Sequence, residues 1–372
     1  MWAETIFWAG IAVPFYAYIG YPVALMLLRM VIHREVRKGP IEPPVSLLIP
    51  AYREAEAIAR KIQNSLALDY PAEKLEILVA CDGSKDGTAE NAKQAAAGTR
   101  VRVLDYPVNL GKIGNLNAAV PECAGEIVVF SDATAMLFPD SIRKLIANFA
   151  DPKVGAVSGK YTVVKAGDVA IGKSEDFYWK YETFLKTQES RLDSTLGGHG
   201  HLHAIRRKLY PFPPPGTIND DYVIPVSVLA KQYRAVYEPA AVVYEEAAEM
   251  TGFGRRVRIM AGNIQQIREI KGLLRPLQIL PLFFFLSHKV IRLAVPFALV
   301  AALAANVFLL GSPLYDGLLA AQMAFYALAL VGMFVRLSPK LLMLPYYFTM
   351  INTAVFVGFY HALTERRKMA WK

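Results

Sequence analysis

The 372-residue chain has only two cysteines, Cys81 and Cys123, and neither lies in a metal-ligand spacing. Two isolated thiols exclude a disulfide framework and point to a reducing, cytosolic setting. A phosphate-cradling P-loop spacing is absent as well. The histidines of Gly197-Gly-His-Gly-His-Leu-His203 share one strand face, but no cysteine or carboxylate is interleaved with them. Adjacent side chains on one strand rarely close a coordination sphere, so a substrate-facing or structural role is expected there before a dedicated metal site. The N-terminus also lacks what a cleaved signal peptide needs. Acidic Glu4 stands where basic residues would, the apolar run is too long, and no small-residue cleavage site follows it.

What is abundant is apolar sequence, 54% of the chain, and it gathers at the two ends. Residues 6–32 form a run long enough to cross a bilayer as a helix, read as a retained anchor. Residues 293–310, 318–335 and 341–363 are further candidate spans. The stretch 277–286 is too short to span and is followed by His288, Lys289 and Arg292, which reads as interfacial. The net charge of +9 comes from basic residues beside these apolar runs, at 33–38, 255–258 and 366–368. That placement follows the positive-inside rule and contact with anionic lipid rather than nucleic acid. One anchor plus three later spans would put the basic tail outside, so either one candidate is re-entrant or the tail breaks the rule. The chain divides on this reading into an anchor (1–38), a cytosolic domain (45–250), amphipathic and interfacial helices (251–288) and C-terminal spans (289–372).

From Val45 the pattern becomes strand and helix in alternation: strands at 45–50, 75–80 and 101–104, helices at 54–66, from 88, and at 113–120. Alternation of this kind predicts a mostly parallel α/β sheet covered on both faces, of nucleotide-binding type. Its centre is Glu126-Ile-Val-Val-Phe-Ser-Asp-Ala-Thr134, an apolar strand that ends on one carboxylate, Asp132. Ligands bind at the carboxyl edge of such sheets, and a carboxylate there suits a hard cation that partners a diphosphate. The plainer alternative is a turn cap. After 154–164 (strand or hairpin) come an aromatic-rich helix at 177–190, short strands at 202–205, 236–238 and 241–244, and a basic amphipathic helix at 253–271.

Three further motifs carry chemistry. Asp82-Gly-Ser-Lys-Asp-Gly-Thr88 follows a strand, and its carboxylates can accept hydrogen bonds from a base or ribose; a simple turn with a threonine cap is the alternative. Asn109-Leu-Gly-Lys-Ile-Gly-Asn-Leu-Asn117 opens a helix, with Lys112 able to neutralise a diphosphate and Asn115 or Asn117 able to bind sugar or base. Asn219-Asp-Asp-Tyr222 pairs two acids, Asp220 and Asp221, which are either solvated or, if they face Asp132, a source of a general base.

Together, in this order and between apolar ends, Asp82–Thr88, Asn109–Lys112, Ser131–Thr134, Ala204–Arg207 and Asn219–Asp221 resemble a membrane-embedded family 2 glycosyltransferase of the cellulose, chitin and hyaluronan synthase-like group. The resemblance implies a GT-A (Rossmann-like) domain flanked by transmembrane helices. It implies that Ala51, Tyr52, Glu54 and Asp82 hold the nucleoside, that Lys112 lies beside the diphosphate, and that Asp132 binds Mg²⁺ or Mn²⁺. It further implies Asp221, with Asp220 beside it, as catalytic base, and an acceptor side drawn from His199, Arg206, Arg255 and Arg258. Two departures stand out. Thr134 replaces the second acid of the Asp-x-Asp motif, leaving the metal held mainly by the diphosphate. The Gln-x-x-Arg-Trp motif becomes Arg255-Arg-Val-Arg-Ile259, without the tryptophan that would stack on an acceptor sugar.

The implied activity is inverting transfer from a UDP-type sugar nucleotide to a saccharide or lipid-linked acceptor at the cytosolic face of the plasma or inner membrane. Membrane lipids are partners and nucleic acid is not. Two other readings fit the same residues: transfer to a polyprenyl phosphate, which needs no base, and an inactive membrane scaffold that binds a sugar nucleotide.

Overall fold

A computed structural model describes residues 1–164, 177–198, 200–246, 253–268, 278–335 and 340–364. The chain forms two units. One is Met1–Met26, Thr251–Arg268 and Phe283–Lys368; the other is Leu27–Met250, Glu269–Leu282 and Met369–Lys372. Helix α1 (Trp2–Phe15) runs through a π-helical turn, Tyr16–Gly20, into α2 (Tyr21–Val31). The second unit then runs β1 (Val45–Ala51), α3 (Ile58–Leu66), β2 (Leu75–Asp82), α4 (Thr88–Ala96), β3 (Val101–Tyr106), α5 (Gly111–Ala119) and β4 (Ile127–Phe130). It continues with β5 (Met136–Leu137), α6 (Ser141–Ile146), β6 (Val154–Val164), α7 (Phe177–Leu192), β7 (His203–Arg206), α8 (Asp220–Ser227) and β8 (Arg234–Glu246).

The eight strands form one sheet in the order β3-β2-β1-β4-β7-β6-β8-β5. β1 pairs in parallel with β2 and with β4, and β2 with β3. Every residue of β1 and β4 is buried, as expected for strands with helices on both faces. β7 enters antiparallel between β4 and β6, so the sheet is parallel in its first half and mixed in its second. Strand order reverses between β1 and β4, which opens a crevice at their carboxyl ends. The loops 51–57 and 131–135 flank that crevice.

Two local differences from the sequence reading have clear causes. α3 starts at Ile58 rather than Glu54, because Glu54 N donates to Thr88 Oγ1 (2.9 Å) and Ala55 N to Asp86 Oδ2 (3.4 Å). Those side chains hold the first turn as a loop. The separate strands expected at 236–238 and 241–244 are one strand, β8. Its register against β6 jumps from Gly159↔Glu238 to Lys160↔Val242, so Pro239 sits in a bulge where a missing N–H costs no ladder bond.

In the first unit, α9 (Phe253–Arg268) is followed by α10 (Ile279–Phe284), a π-helical turn (Phe285–Val290), α11 (Ile291–Val307), α12 (Pro313–Phe334) and α13 (Leu344–Thr364). Three helices among the described residues are long and apolar enough to cross a membrane: Trp2–Val31, Ile279–Val307 and Pro313–Phe334. The stretch expected to be a short interfacial piece is therefore the first part of a 29-residue helix. His288 and Lys289 do not end it, since the π turn absorbs them within the helical path. α13, the last candidate span, is not among the three, with Asn352 and His361 along its length. The amphipathic α9 packs against α13 and buries Val257, Ala261 and Ile264.

Candidate active site

Four segments distant in sequence meet at the carboxyl ends of β1, β2 and β4. Ala51 ends β1 fully buried, and Tyr52 and Arg53 turn the chain out of the sheet. Arg53 takes a left-handed backbone, φ 58°, and its N–H donates to Ser84 Oγ at 2.8 Å. This bond and those from Glu54 and Ala55 join the loop after β1 to the Asp82–Thr88 loop after β2. Asp82 ends β2 with no exposed surface. Its Oδ1 accepts from Leu110 N at 2.7 Å, while Oδ2 is buried with no hydrogen-bond partner among the described residues. Burial pushes the Asp82 carboxyl up from its ordinary value, against the bonds from Leu110 and Gly111. Gly83 lets the two loops touch: it has φ +64°, and a Cβ there would lie 2.6 Å from Asn109 N.

Lys112, in the first turn of α5, reaches the centre of the crevice. Its Nζ lies 2.9 Å from Asp132 Oδ1 and 3.1 Å from Asp220 Oδ2. Burial alone would lower the Lys112 pKa, but the two carboxylates outweigh it and hold the ammonium charged. Burial pushes Asp132 up, yet Lys112 and His201 pull it below its usual value. Asp220 and Asp221 open α8, where the helix dipole favours acids. Asp220 is 6% exposed and faces Lys112. Asp221 accepts a backbone bond from Gly198 N at 2.7 Å, and its carboxylate lies beside Gly200, whose missing Cβ would stand 3.7 Å from Asp221 Oδ2.

Around the Asp132 loop the sequence reading names Thr134 and His201 but misses Tyr161 and Glu245. Thr134 Oγ1 donates to Glu245 Oε1, near the end of β8, and Tyr161 Oη donates to Glu245 Oε2 at 3.0 Å. His201 Nε2 is 3.6 Å from the same Glu245 carboxylate, and its ring stacks on Tyr161 at 4.2 Å. Position 134, which lacks an acid of its own, is thus bonded to an acid brought from another strand. Beneath the loop, fully buried Lys61 donates to Ser131 Oγ at 2.7 Å and to the Ala135 carbonyl. Burial pushes its pKa down to about 7, against the pull of Asp132 and Glu245. The Glu54 carboxyl is pushed up to about 7 by burial and by Asp132, Glu245 and Asp86. Lys61 had a legible signal, since it occupies an inward position of α3 between Ile58 and Ile62. Glu245 had none: no local pattern tells a strand residue which loop it will meet.

Other expected site residues lie elsewhere. Arg206 pairs with Ile127 at the amino end of β4, the edge opposite Asp132. There it donates to the carbonyls of Val154 (2.9 Å), Phe149 (2.8 Å) and Asp151 (3.3 Å), so it is a clasp between segments and not an acceptor contact. Asn115 is buried and donates to the Ala80 carbonyl at 2.8 Å; Asn117 bridges the Pro213 carbonyl and the Tyr210 hydroxyl. His199 and the side chain of Arg255 lie outside the described residues, and Arg258 is half-buried on α9. His203 packs its ring on Phe130 at 4.8 Å, fully buried, with both ring nitrogens lacking hydrogen-bond partners among the described residues.

Among the described residues no group of three His, Cys, Asp or Glu side chains is arranged to hold a metal ion. Asp132 still offers carboxylate oxygen at the crevice, the donor that hard Mg²⁺ or Mn²⁺ prefers. A cation there fits only if most of its shell comes from a bound diphosphate.

A parallel half-sheet with an acid-rich crevice at its switch point, closed by a mixed second half, is a GT-A-type domain. Residues 46–211 match the family described as Glycosyl transferase family 2, and the chain carries a glycosyltransferase domain of that family. It is 26% identical over 226 residues to poly-beta-1,6-N-acetyl-D-glucosamine synthase of Staphylococcus aureus (strain COL), covering 59% of this chain and 54% of that protein. It is 27% identical over 216 residues to an N-acetylglucosaminyltransferase of Rhizobium meliloti (strain 1021), covering 54% of this chain and 50% of the relative. The chain thus spans about half the length of the curated relatives it matches. Among solved structures, the mannosyltransferase PcManGT from Pyrobaculum calidifontis, in complex with GDP-Man and Mn²⁺, superposes with a TM-score of 0.77 and 25% identity. That likeness covers 98% of this chain and 100% of the mannosyltransferase.

Proposed function

We propose that the protein is a membrane-embedded inverting glycosyltransferase that moves a sugar from a nucleoside diphosphate to a saccharide or lipid-linked acceptor. The observation that carries this reading is the meeting of Asp82, Lys112, Asp132 and the Asp220–Asp221 pair at one sheet edge. Asp82 Oδ2, buried and without a hydrogen-bond partner among the described residues, is an acceptor for a base N–H or a ribose hydroxyl. Lys112 supplies positive charge where the leaving diphosphate develops its negative charge. Asp132 would hold Mg²⁺ or Mn²⁺, which as a Lewis acid stabilises that same departing group. Asp221, beside the flexible room left by Gly200, takes the proton from the acceptor hydroxyl as its oxygen attacks the anomeric carbon from the face opposite the diphosphate. Attack from that face inverts the anomeric configuration.

Three apolar helices support a membrane location, and a cytosolic catalytic unit follows from the supply of sugar nucleotides there. An odd number of spans would return the basic tail to the same side as the catalytic unit, in keeping with the positive-inside rule. The relatives' names favour an N-acetylglucosaminyl donor, the mannosyltransferase a GDP-sugar, so both belong in the test. The test is release of UDP or GDP from a sugar-nucleotide panel by detergent-purified protein, with Mn²⁺, Mg²⁺ or EDTA, beside Asp221→Asn. We expect metal-dependent turnover that falls at least 100-fold in Asp221→Asn. An Asp221→Asn enzyme at full rate would overturn the base assignment in favour of an already ionised acceptor. Donor binding without turnover in any acceptor mixture would overturn the transferase reading itself.

A further inference from the structure

Helix α3 is a strut between the two loops that carry the acids of the crevice. Where the chain leads into it, Glu54 N and Ala55 N donate to Thr88 and Asp86, and Asn91 Nδ2 donates to the Ala55 carbonyl at 2.9 Å. These bonds fix its start to the loop after β2. Further along, Lys61 donates to Ser131 Oγ at 2.7 Å and to the Ala135 carbonyl, and Ser131 Oγ donates to the His201 carbonyl at 3.0 Å. Asn64 exchanges two bonds of 2.9 Å with the Leu137 backbone. Past the helix end, Asp69 N donates to the Pro139 carbonyl at 2.8 Å. Positions 131, 135, 137 and 139 are thus all held from one side. Between them Asp132 faces Lys112, and Thr134 bonds to Glu245.

A lysine is a costly residue for this clamp. Ile58, Lys61 and Ile62 are all 0% exposed, and an apolar side chain at 61 would pack there without the desolvation of an ammonium. Asn64 shows that a neutral amide can hold the same segment. What Lys61 adds is charge behind the loop, where Asp132 and Glu245 act on it through space. It also adds a grip on the Asp132 turn itself. Ala135 N donates to the Asp132 carbonyl at 3.2 Å, and Lys61 holds the carbonyl of that same Ala135. The orientation of Asp132 therefore depends on a hydrogen-bonded chain that begins at Lys61.

We infer that Lys61 is the positioning residue of the Asp132 loop, fixing from behind the turn that presents Asp132 and so coupling divalent-cation binding to nucleoside diphosphate binding. This rests on the proposed function, in which Asp132 offers its carboxylate to a cation that a diphosphate also holds. A residue with only a packing role would, when replaced, weaken every ligand alike. The full chain is purified in detergent, and binding of UDP and of GDP is measured by calorimetry in EDTA and again in Mn²⁺. Neither nucleotide turns over, so affinity is read apart from catalysis.

Wild type is expected to bind its nucleotide about tenfold more tightly in Mn²⁺ than in EDTA, an ordinary coupling between two ligands. Lys61→Met is expected to stay within about twofold of wild type in EDTA and to keep only about a twofold Mn²⁺ gain. Ser131→Ala, which removes one partner and leaves the ammonium, is expected to fall between the two. Arg206→Ala loosens the opposite edge of the sheet and is expected to keep the wild-type gain, which controls for lost stability. A Lys61→Met protein with the full Mn²⁺ gain would overturn the inference. So would equal weakening in EDTA and in Mn²⁺, or loss of the gain in Arg206→Ala as well. Should Lys61→Met not fold, Ser131→Ala is judged by the same criteria. A wild type that binds nucleotide with no Mn²⁺ gain would overturn the cation assignment to Asp132 and this inference with it, whereas a wild type that binds neither nucleotide would overturn the transferase reading.

Discussion

Replacing Lys112 with methionine removes a charge and keeps the volume, so it isolates what the ammonium does. Asp132 and Asp220 each touch that one nitrogen, at 2.9 and 3.1 Å, so their oxygens lie within about 6 Å of each other. At an effective dielectric near 20, two negative charges at about 6 Å repel by about 3 kcal/mol. Removing one member of a buried ion pair costs roughly 3–5 kcal/mol. Side-chain exposures of 20%, 27% and 9% for Lys112, Asp132 and Asp220 argue for the lower end. In the metal-free state Lys112→Met should therefore lose about 3 kcal/mol, a fall of roughly 6–12 °C in melting temperature for a domain of this size. The loss should depend on pH. In the wild type Asp132 has a lowered pKa, so its stabilisation is present above the ordinary carboxylate range and is lost only as pH falls through the lower folded value. In the variant, protonating one carboxylate relieves the repulsion, so the gap to wild type should narrow from pH 7 to pH 4.5. Mn²⁺ with a nucleoside diphosphate should raise the variant more than the wild type, because the cation takes over the charge role. Differential scanning fluorimetry in EDTA, across pH and with Mn²⁺, reads all three. A variant that melts within about 1 °C of wild type at pH 7 would refute the reasoning.

Two further perturbations separate structure from chemistry. Burial pushes the His203 imidazole down to about 4, so between pH 6.5 and 4 the unfolded chain binds a proton the folded chain refuses. Stability should fall through that window by about 3 kcal/mol at 1.36 kcal/mol per pH unit. His203→Phe should abolish that part of the acid loss in a melting-temperature profile, and an unchanged profile would count against it. Arg206→Ala frees carbonyls of Val154, Phe149 and Asp151 and should cost about 3 kcal/mol of stability. Its KM for donor and acceptor should match wild type, and a selective rise in acceptor KM would restore the acceptor role that the geometry removes.

The strand-helix alternation after Val45, the apolar ends and the carboxylate at the close of the central strand were legible because they are local. An all-buried strand must be apolar throughout, and Val45–Ala51 and Ile127–Phe130 read so directly. Motif order in the chain likewise pointed to Asp82, Lys112, Asp132 and Asp221 without coordinates. Tertiary structure decided what each of these touches. Arg206 and Asp132 belong to neighbouring strands that run in opposite directions, which sends one to the amino edge and the other to the carboxyl edge of the sheet. Glu245 meets Thr134 only because β8 places its end beside the loop after β4, a meeting set by strand order across more than a hundred residues. His288 and Lys289 read as an interruption of an apolar run. A π turn instead carries them within one continuous helix and turns His288 inward toward Tyr21. Periodicity within a segment reports which face is buried, but the partner that buries it is a property of chain topology.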